Sequence, residues 1–496
     1  MGSSRLTISV RRARARFVPA ALAPLAAALV LAGCSLAPKY ERPQVPLAAS
    51  FPDAQSVRSA QGRPAAADLA WKDFFGDERL RRLIGIALEN NRDLRVAALN
   101  VEKAQAQFRV QRAAQFPTVN AALTSQRERP SSSQNYASIG IGITSYEIDF
   151  FGRIQSLKDA ALAQYLSTEE SRRTTQISLV ASVVTAYLNL LADDELLRVT
   201  QETLKTREES FRLSKLKLDN GVSSELDLRQ AEGLVEAARA SLAQLQRQRS
   251  QDVNTLVLLL GQPALPADLP AGRTLAEQAE LLAAVPAGLP SDLLQSRPDV
   301  RAAEQSLVAA HANIGAARAA FFPRVGLTAS LGRASTSLSN LFDESTRAWT
   351  FIPQITLPIF DAGANQANLD VARANQGIAV AQYEKAVQTA FREVADALAG
   401  SATLGEQLRA TEAQVRAAQA SFNLSDLRYR NGVASYLDLL DAQRSLFTAQ
   451  QSAVQIRLAL LTNQITLYKA LGGGWTAADD GNGAAAAAAA PAPAGS

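Results

Sequence analysis

The sequence predicts a mainly α protein with a small β part, built from two tandem repeats, and three observations carry that prediction. The stretch "NGVASYLDLLDAQ" (Asn431 to Gln443) has a near copy 211 positions earlier, "NGVSSELDLRQAE" (Asn220 to Glu232). Residues 154 to 218 hold neither Pro nor Gly, enough for a helix of about 98 Å at 1.5 Å per residue. Four short segments alternate apolar and small or polar residues with period two, the pattern of strands.

The first element is not part of the fold. Residues 1–33 carry five arginines (Arg5, Arg11, Arg12, Arg14, Arg16) and then the apolar run "FVPAALAPLAAALVLAGC", which reads as a secretory signal. A single membrane anchor is the alternative, but Pro19 and Pro24 suit a processed signal better. Leu31-Ala32-Gly33-Cys34 looks like a lipobox, whose cysteine becomes the lipidated N-terminus. Ser35 after it resembles the outer-membrane sorting pattern. Without the leader's arginines the 51 basic and 47 acidic residues nearly balance, so the pI near 9.2 implies no nucleic-acid partner.

Residues 34–71 follow as a lipidated, Pro-rich extended arm, and 473–496 have the composition of a disordered tail. Between them the repeats read as 72–261 and 291–472, joined by a linker at 262–290. "NRDLRVAALNV" from Asn91 resembles "RPDVRAAEQSL" from Arg297, and "RAAQFPTV" from Arg112 matches "RAAFFPRV" from Arg318. In each copy a helix (about 93–115 and 298–320) ends at Phe-Pro, because the residue before proline is pushed out of the helical region.

The strands come next. They are "TVNAALTSQ" (118–126), "YASIGIGITSYEI" (136–148), "RVGLTASLG" (324–332) and "WTFIPQITLPI" (349–359). Each is near the length that spans a bilayer when tilted. Two hairpins on a soluble core would give the same pattern. In lipid, however, an open sheet edge leaves backbone groups unsatisfied, so four such strands must be shared between chains. Three chains would supply twelve, an even number within the known range of barrels.

Long helices follow each strand pair, from Ile154 and from Ala364, the second weakened by Gly377, Gly400 and Gly405. The helix returning from the second turn repeats Ala442, Leu446, Ala449, Ala453, Ile456, Leu460, Asn463 and Leu467 at alternating spacings of four and three, a coiled-coil seam. On heptads alone an antiparallel bundle without a lumen is the better reading.

Together the lipobox, the arm, the Phe-Pro entries, the long helices and the twin Gly-Val turns with "YLDLLDAQRSLF" resemble the TolC-like outer membrane factor family, in its OprM/NodT-type lipoprotein branch, over about residues 38–472. The resemblance implies a homotrimer with a 12-stranded outer-membrane β-barrel and a periplasmic α-helical tunnel. It implies the exit duct of a tripartite efflux system, partnered by a periplasmic adaptor and an inner-membrane pump of RND type. Ducts for protein secretion or metal export, or a non-conducting coiled-coil strut, are the alternatives.

The resemblance also assigns sites. Asn220, Gly221, Val222, Asn431, Gly432 and Val433 would be the periplasmic tips that dock the adaptor, although a Gly-bearing helix reversal explains both turns without it. Leu437, Asp438 and Asp441 would line the closing constriction, three of each around the axis. Two carboxylates 6 Å apart repel by about 0.7 kcal/mol in water and about 3 kcal/mol at an effective dielectric of 20, so such rings favour cations or partial protonation. Asp438 is equally explained as a first-turn acid complementing the helix dipole. Tyr429 and Asp227 would latch the tip shut. Some relatives carry arginine where this chain has Ala434, which puts part of that latch in doubt.

Catalysis finds no support in these residues. Cys34 is the only cysteine, Met1 the only methionine and His311 the only histidine, and no phosphate-binding loop appears, so no cofactor or metal is expected and transport energy must come from a partner.

Overall fold

The computed structural model describes residues 36–46, 48–60, 62–127 and 136–475. Cys34 and the tail beyond 475 lie outside the described residues. The principal helices are α1 (Glu78–Asn90), α2 (Arg92–Ala113), α3 (Arg153–Asp219), α4 (Glu225–Leu260), α5 (Pro298–Ala319), α6 (Ala364–Arg430) and α7 (Tyr436–Ala470). The strands are β1 (Val119–Gln126), β2 (Tyr136–Ile148), β3 (Arg324–Ser335) and β4 (Arg347–Thr356). α3 and α6 are both 67 residues long, about 100 Å each, so the three glycines of α6 weaken its propensity without breaking it. The chain is therefore a mainly α tandem repeat with one small sheet.

That chain divides into two compact units. One contains residues 109–160 and 310–375 with the described residues up to Tyr40; the other contains 41–108, 161–309 and 376–475.

In the first unit the strands form one antiparallel sheet in the order β1-β2-β3-β4. Its register puts Ala121, Ile141, Leu331 and Trp349 in one row across all four strands. Ile141, Leu331 and Trp349 are 54%, 64% and 74% exposed, so this apolar row meets no core among the described residues. The next row is small and polar: Gly142 stands opposite Ser330, whose hydroxyl pairs with that of Thr350 at 2.6 Å. Gly140 has no room for a side chain, since a Cβ there would lie 2.6 Å from the Leu331 carbonyl oxygen. A bulge between Ile143 and Tyr146, with Ser145 at φ 55°, re-aims the end of β2. β4 stops at Thr356, three residues short of the expected strand.

The second unit is helical. Part of α3 is apolar enough to cross a bilayer, but 61% of that window is buried inside the protein, so its hydrophobicity serves packing. Buried positions on α7 include Ala442, Ala449, Ala453 and Leu467 of the expected seam, and also Tyr436, Leu440, Gln443, Leu461 and Ile465 outside it. The buried band is wider than a two-helix seam because α7 packs against α3 of the other hairpin as well as its own mate. Gln443 bonds Ser210, and Arg457 bridges Glu195 on α3 and Glu412 on α6.

The repeats also close alike. Asn91 donates through Nδ2 to the Leu259 carbonyl at the end of α4, and Arg297 through a guanidinium N–H to the Ala470 carbonyl at the end of α7. Each bond satisfies a C-terminal carbonyl that the helix leaves open. The segment between the repeats pairs with the chain after the arm: the Gly76 amide donates to Leu281 and the Ala283 amide to Phe74. Within the arm, Arg42 holds Glu304 of α5 through two bonds of 2.7 and 2.9 Å.

Candidate functional site

Each long hairpin reverses through the same device. After α3 the Gly221 amide donates to the Leu218 carbonyl at 2.8 Å and the Val222 amide to Lys217 at 2.9 Å; after α6 Gly432 donates to Tyr429 at 3.1 Å and Val433 to Arg428 at 2.9 Å. This pair of bonds is a Schellman cap, which needs a left-handed residue just past the helix. Gly221 and Gly432 supply it at φ 72° and 73°. Asn220 and Asn431 add side-chain bonds to the Leu216 and Leu427 carbonyls, 2.7 Å in both copies. Val222 and Val433 point outward, 72% and 68% exposed.

The returning helices start with capping boxes. Ser224 and Asp227 satisfy each other's backbone amides at the start of α4, and Ser435 and Asp438 do so at α7. The aspartate of each Leu-Asp-Leu thus begins a helix. Leu437, beside Asp438, is 56% exposed. Asp441 is exposed one turn on and shares an open groove of about 430 Å³ with Asp438 and Arg428.

Tyr429 is buried, 4% exposed. Its hydroxyl shares a 3.2 Å hydrogen bond with Ser214, its carbonyl accepts from the Lys217 ammonium at 2.9 Å, and that ammonium lies 3.7 Å from the ring centroid. Tyr436 packs edge-on at 5.5 Å, and both rings join Ala231, Leu234, Leu439 and Leu440 in one apolar cluster. Burial pushes both phenols up, Tyr436 to about 12, and the Asp227 charge adds to each. Asp227 is therefore near the pair, while its hydrogen bonds among the described residues go to Ser223 and Ser224. The structure brings Tyr429 and Asp227 into one electrostatic neighbourhood and does not join them by a bond.

The sequence reading missed Ser214, Lys217, Tyr436 and the Ser210–Gln443 pair, which hold the two hairpins together. A signal was available: Tyr436, Leu440 and Gln443 replace Glu225, Arg229 and Glu232 of the first copy. Divergence inside an otherwise faithful repeat marks the surface where the copies differ in what they touch. Among the described residues no cluster of three His, Cys, Asp or Glu could hold a metal ion. The tips present two exposed valines, and the contacts around Tyr429 join the two hairpins.

The family model described as outer membrane efflux protein matches residues 83–262 and 289–473. The chain is 49% identical over 458 residues to the probable efflux pump outer membrane protein TtgC of Pseudomonas putida, covering 90% of this chain and 94% of that one. It is 48% identical over 468 residues to the solvent efflux pump outer membrane protein SrpC of Pseudomonas putida, covering 92% and 99%. Among solved structures it superposes on the open state of the Neisseria gonorrhoeae MtrE outer membrane channel with a TM-score of 0.81 and 42% identity, over 89% of this chain and 98% of the other.

Proposed function

The chain belongs to the outer membrane efflux protein family and is an outer-membrane efflux channel, and we propose that three copies assemble into the exit duct of a tripartite pump for drugs and other toxic compounds. The sheet carries this reading: an exposed apolar row on four strands whose outer edges, β1 and β4, pair with no other strand among the described residues. Such edges are unsatisfied in a bilayer until another chain pairs with them, and three copies close a twelve-stranded barrel. Cys34 carries the lipid that anchors each copy in the outer membrane.

The tips at 220–222 and 431–433 dock a periplasmic adaptor, which links the duct to an inner-membrane pump of RND type. Leu437, Asp438 and Asp441 narrow the opening, and the contacts around Tyr429, with Asp227 beside them, hold it narrow. The duct performs no chemistry: it passes what the pump delivers. Its hydrogen bonds at the tip are individually worth about 0.5 to 1.5 kcal/mol, weak enough for adaptor binding to undo several.

Single-channel recording in planar bilayers tests the duct. The wild type is expected to conduct poorly and the Leu437→Ala/Asp441→Ala variant strongly. A protein silent in both forms removes the gate reading. Deletion followed by an antibiotic, solvent and metal susceptibility panel tests the cargo, and raised sensitivity to metals alone would replace drugs with metal export.

A further inference from the structure

Hairpin α3/α4 has a groove that hairpin α6/α7 fills. Ser210, Ser214 and Lys217 on α3, with Ala231 and Leu234 on α4, receive Tyr429, Tyr436, Leu440 and Gln443. Every groove residue has a counterpart 211 positions later: Ser421, Ser425 and Arg428 on α6, Ala442 and Ser445 on α7. These counterparts line the open groove of about 430 Å³, together with Asp438 and Asp441. The second hairpin therefore repeats the socket of the first, and none of the described residues fills it.

The plug is repeated too, and it is bare. Tyr436, Leu440 and Gln443 are 3%, 2% and 4% exposed; their counterparts Glu225, Arg229 and Glu232 have side chains 72%, 63% and 45% exposed. Within the chain Arg229 bridges Glu225 at 3.3 Å and Glu232 at 2.8 Å, a solvated pairing of little net worth. One unfilled socket and one bare plug, related by the same repeat as a filled pair, are what a ring of copies needs.

We propose that the Glu225/Arg229/Glu232 face of α4 seats in the α6/α7 groove of the next copy of this chain. The charges match the register of the filled pair. Lys217 sits on Tyr429, whose ring meets Tyr436, so Arg428 meets Glu225 of the next copy. Ser210 accepts from Gln443, so Ser421 donates to Glu232. Leu440 lies against Ala231 and Leu234, so Arg229 enters beside Ala442 and Ser445, where Asp438 and Asp441 supply the opposite charge. Asp441 is then a residue of the seam between subunits as well as of the opening. This inference rests on the trimeric duct.

Paired cysteines in the full-length protein test it. Ser421→Cys/Glu232→Cys, oxidised in membranes, is expected to give covalently linked trimers on a non-reducing gel. Ser210→Cys/Gln443→Cys is expected to link only within one chain. Linkage of the first pair within a single chain, or its absence while the second pair links, overturns the seam. Arg428→Glu is expected to lower the temperature at which trimers dissociate on an unheated gel, and Glu225→Arg added to it to restore that temperature; loss without restoration overturns the Arg428–Glu225 pairing. Native mass spectrometry of the wild type separates the two levels. A monomer removes the trimeric duct, whereas a trimer that does not link removes only the seam.

Discussion

Asp193→Asn is expected to stabilise this protein above neutral pH and to leave it unchanged in acid. Asp193 lies on α3, 6% exposed, with Oδ2 buried and without a hydrogen-bond partner among the described residues. Burial raises it first, then a hydrogen bond with the carboxyl of Asp252 on α4 and the charges of Asp252 and Asp194; Arg249, which binds Asp194 at 2.5 Å, opposes them, and the result is about 7. Gln248 also faces the pair, donating to Asp252 at 3.1 Å. The second hairpin has Leu404 and Asn463 at the matching positions, and there the Asn463 amide donates to Ala397 and Ser401.

The sign follows from the direction of the shift. A carboxyl raised in the folded state contributes stability that is complete below its unfolded value, near 4, and is lost as pH rises through about 7. A rise of about three pH units corresponds to a ceiling of about 4 kcal/mol, and partial solvation of the pair reduces the expected loss to about 2 kcal/mol. Asn carries no charge to desolvate. Guanidinium unfolding followed by circular dichroism at 222 nm is expected to show Asp193→Asn ahead of wild type at pH 8 and coincident with it at pH 4.5. Equal displacement at both values, or a less stable variant at pH 8, would refute the shared-proton account.

Other substitutions probe the tips and the anchor. Gly432→Ala and Gly221→Ala meet no neighbour within 4 Å, so each is expected to cost only the left-handed strain of about 1 to 2 kcal/mol. Unequal losses in thermal unfolding would contradict the matched caps. Tyr436→Phe removes a buried hydroxyl without a hydrogen-bond partner among the described residues and is expected to leave stability unchanged or raise it by about 1 kcal/mol, whereas Tyr436→Ala is expected to cost about 3 to 5 kcal/mol by chemical unfolding. Cys34→Ser is expected to abolish incorporation of radiolabelled palmitate, and continued labelling would place the lipid elsewhere.

What the sequence disclosed and what it withheld differ in range. Helix length, strand alternation and both turns were legible because each depends on neighbours a few residues away: absence of Pro and Gly, a period of two, a Gly where the backbone turns left-handed. The strands were placed within about three residues, and the Schellman caps lie where Asn-Gly-Val put them. The surroundings of Asp227 were only half visible. Locally, the sequence reading took Asp438 no further than a first-turn acid, although the three-residue spacing from Ser224 and Ser435 is that of a capping box, while nearness of Asp227 to Tyr429 depends on packing between hairpins some 200 positions apart. Lys217 on the Tyr429 ring is of that second kind, and no local pattern announces it.

The charged face of α4 and the apolar face of α7 are alternative solutions to one packing problem. Tyr436 and Leu440 meet α3 and α4 of their own chain, partners always present, so they can be apolar; burying each contributes about 1.5 to 3 kcal/mol. Glu225, Arg229 and Glu232 meet a partner that arrives by assembly, and until then they must be wetted. Rim ion pairs contribute about 0 to 1 kcal/mol each, so the seam between copies is weaker than the seam within one. In the proposed trimer a tip built this way is expected to open along three boundaries rather than six. Spin labels at Val222 and Val433, both exposed in the single chain, measure it by double electron–electron resonance. On opening, the distance from Val433 to Val222 of the next copy is expected to lengthen while the distance within a copy holds. Equal lengthening of both would show that the two seams yield together and that charge at Glu225, Arg229 and Glu232 does not set where the duct parts.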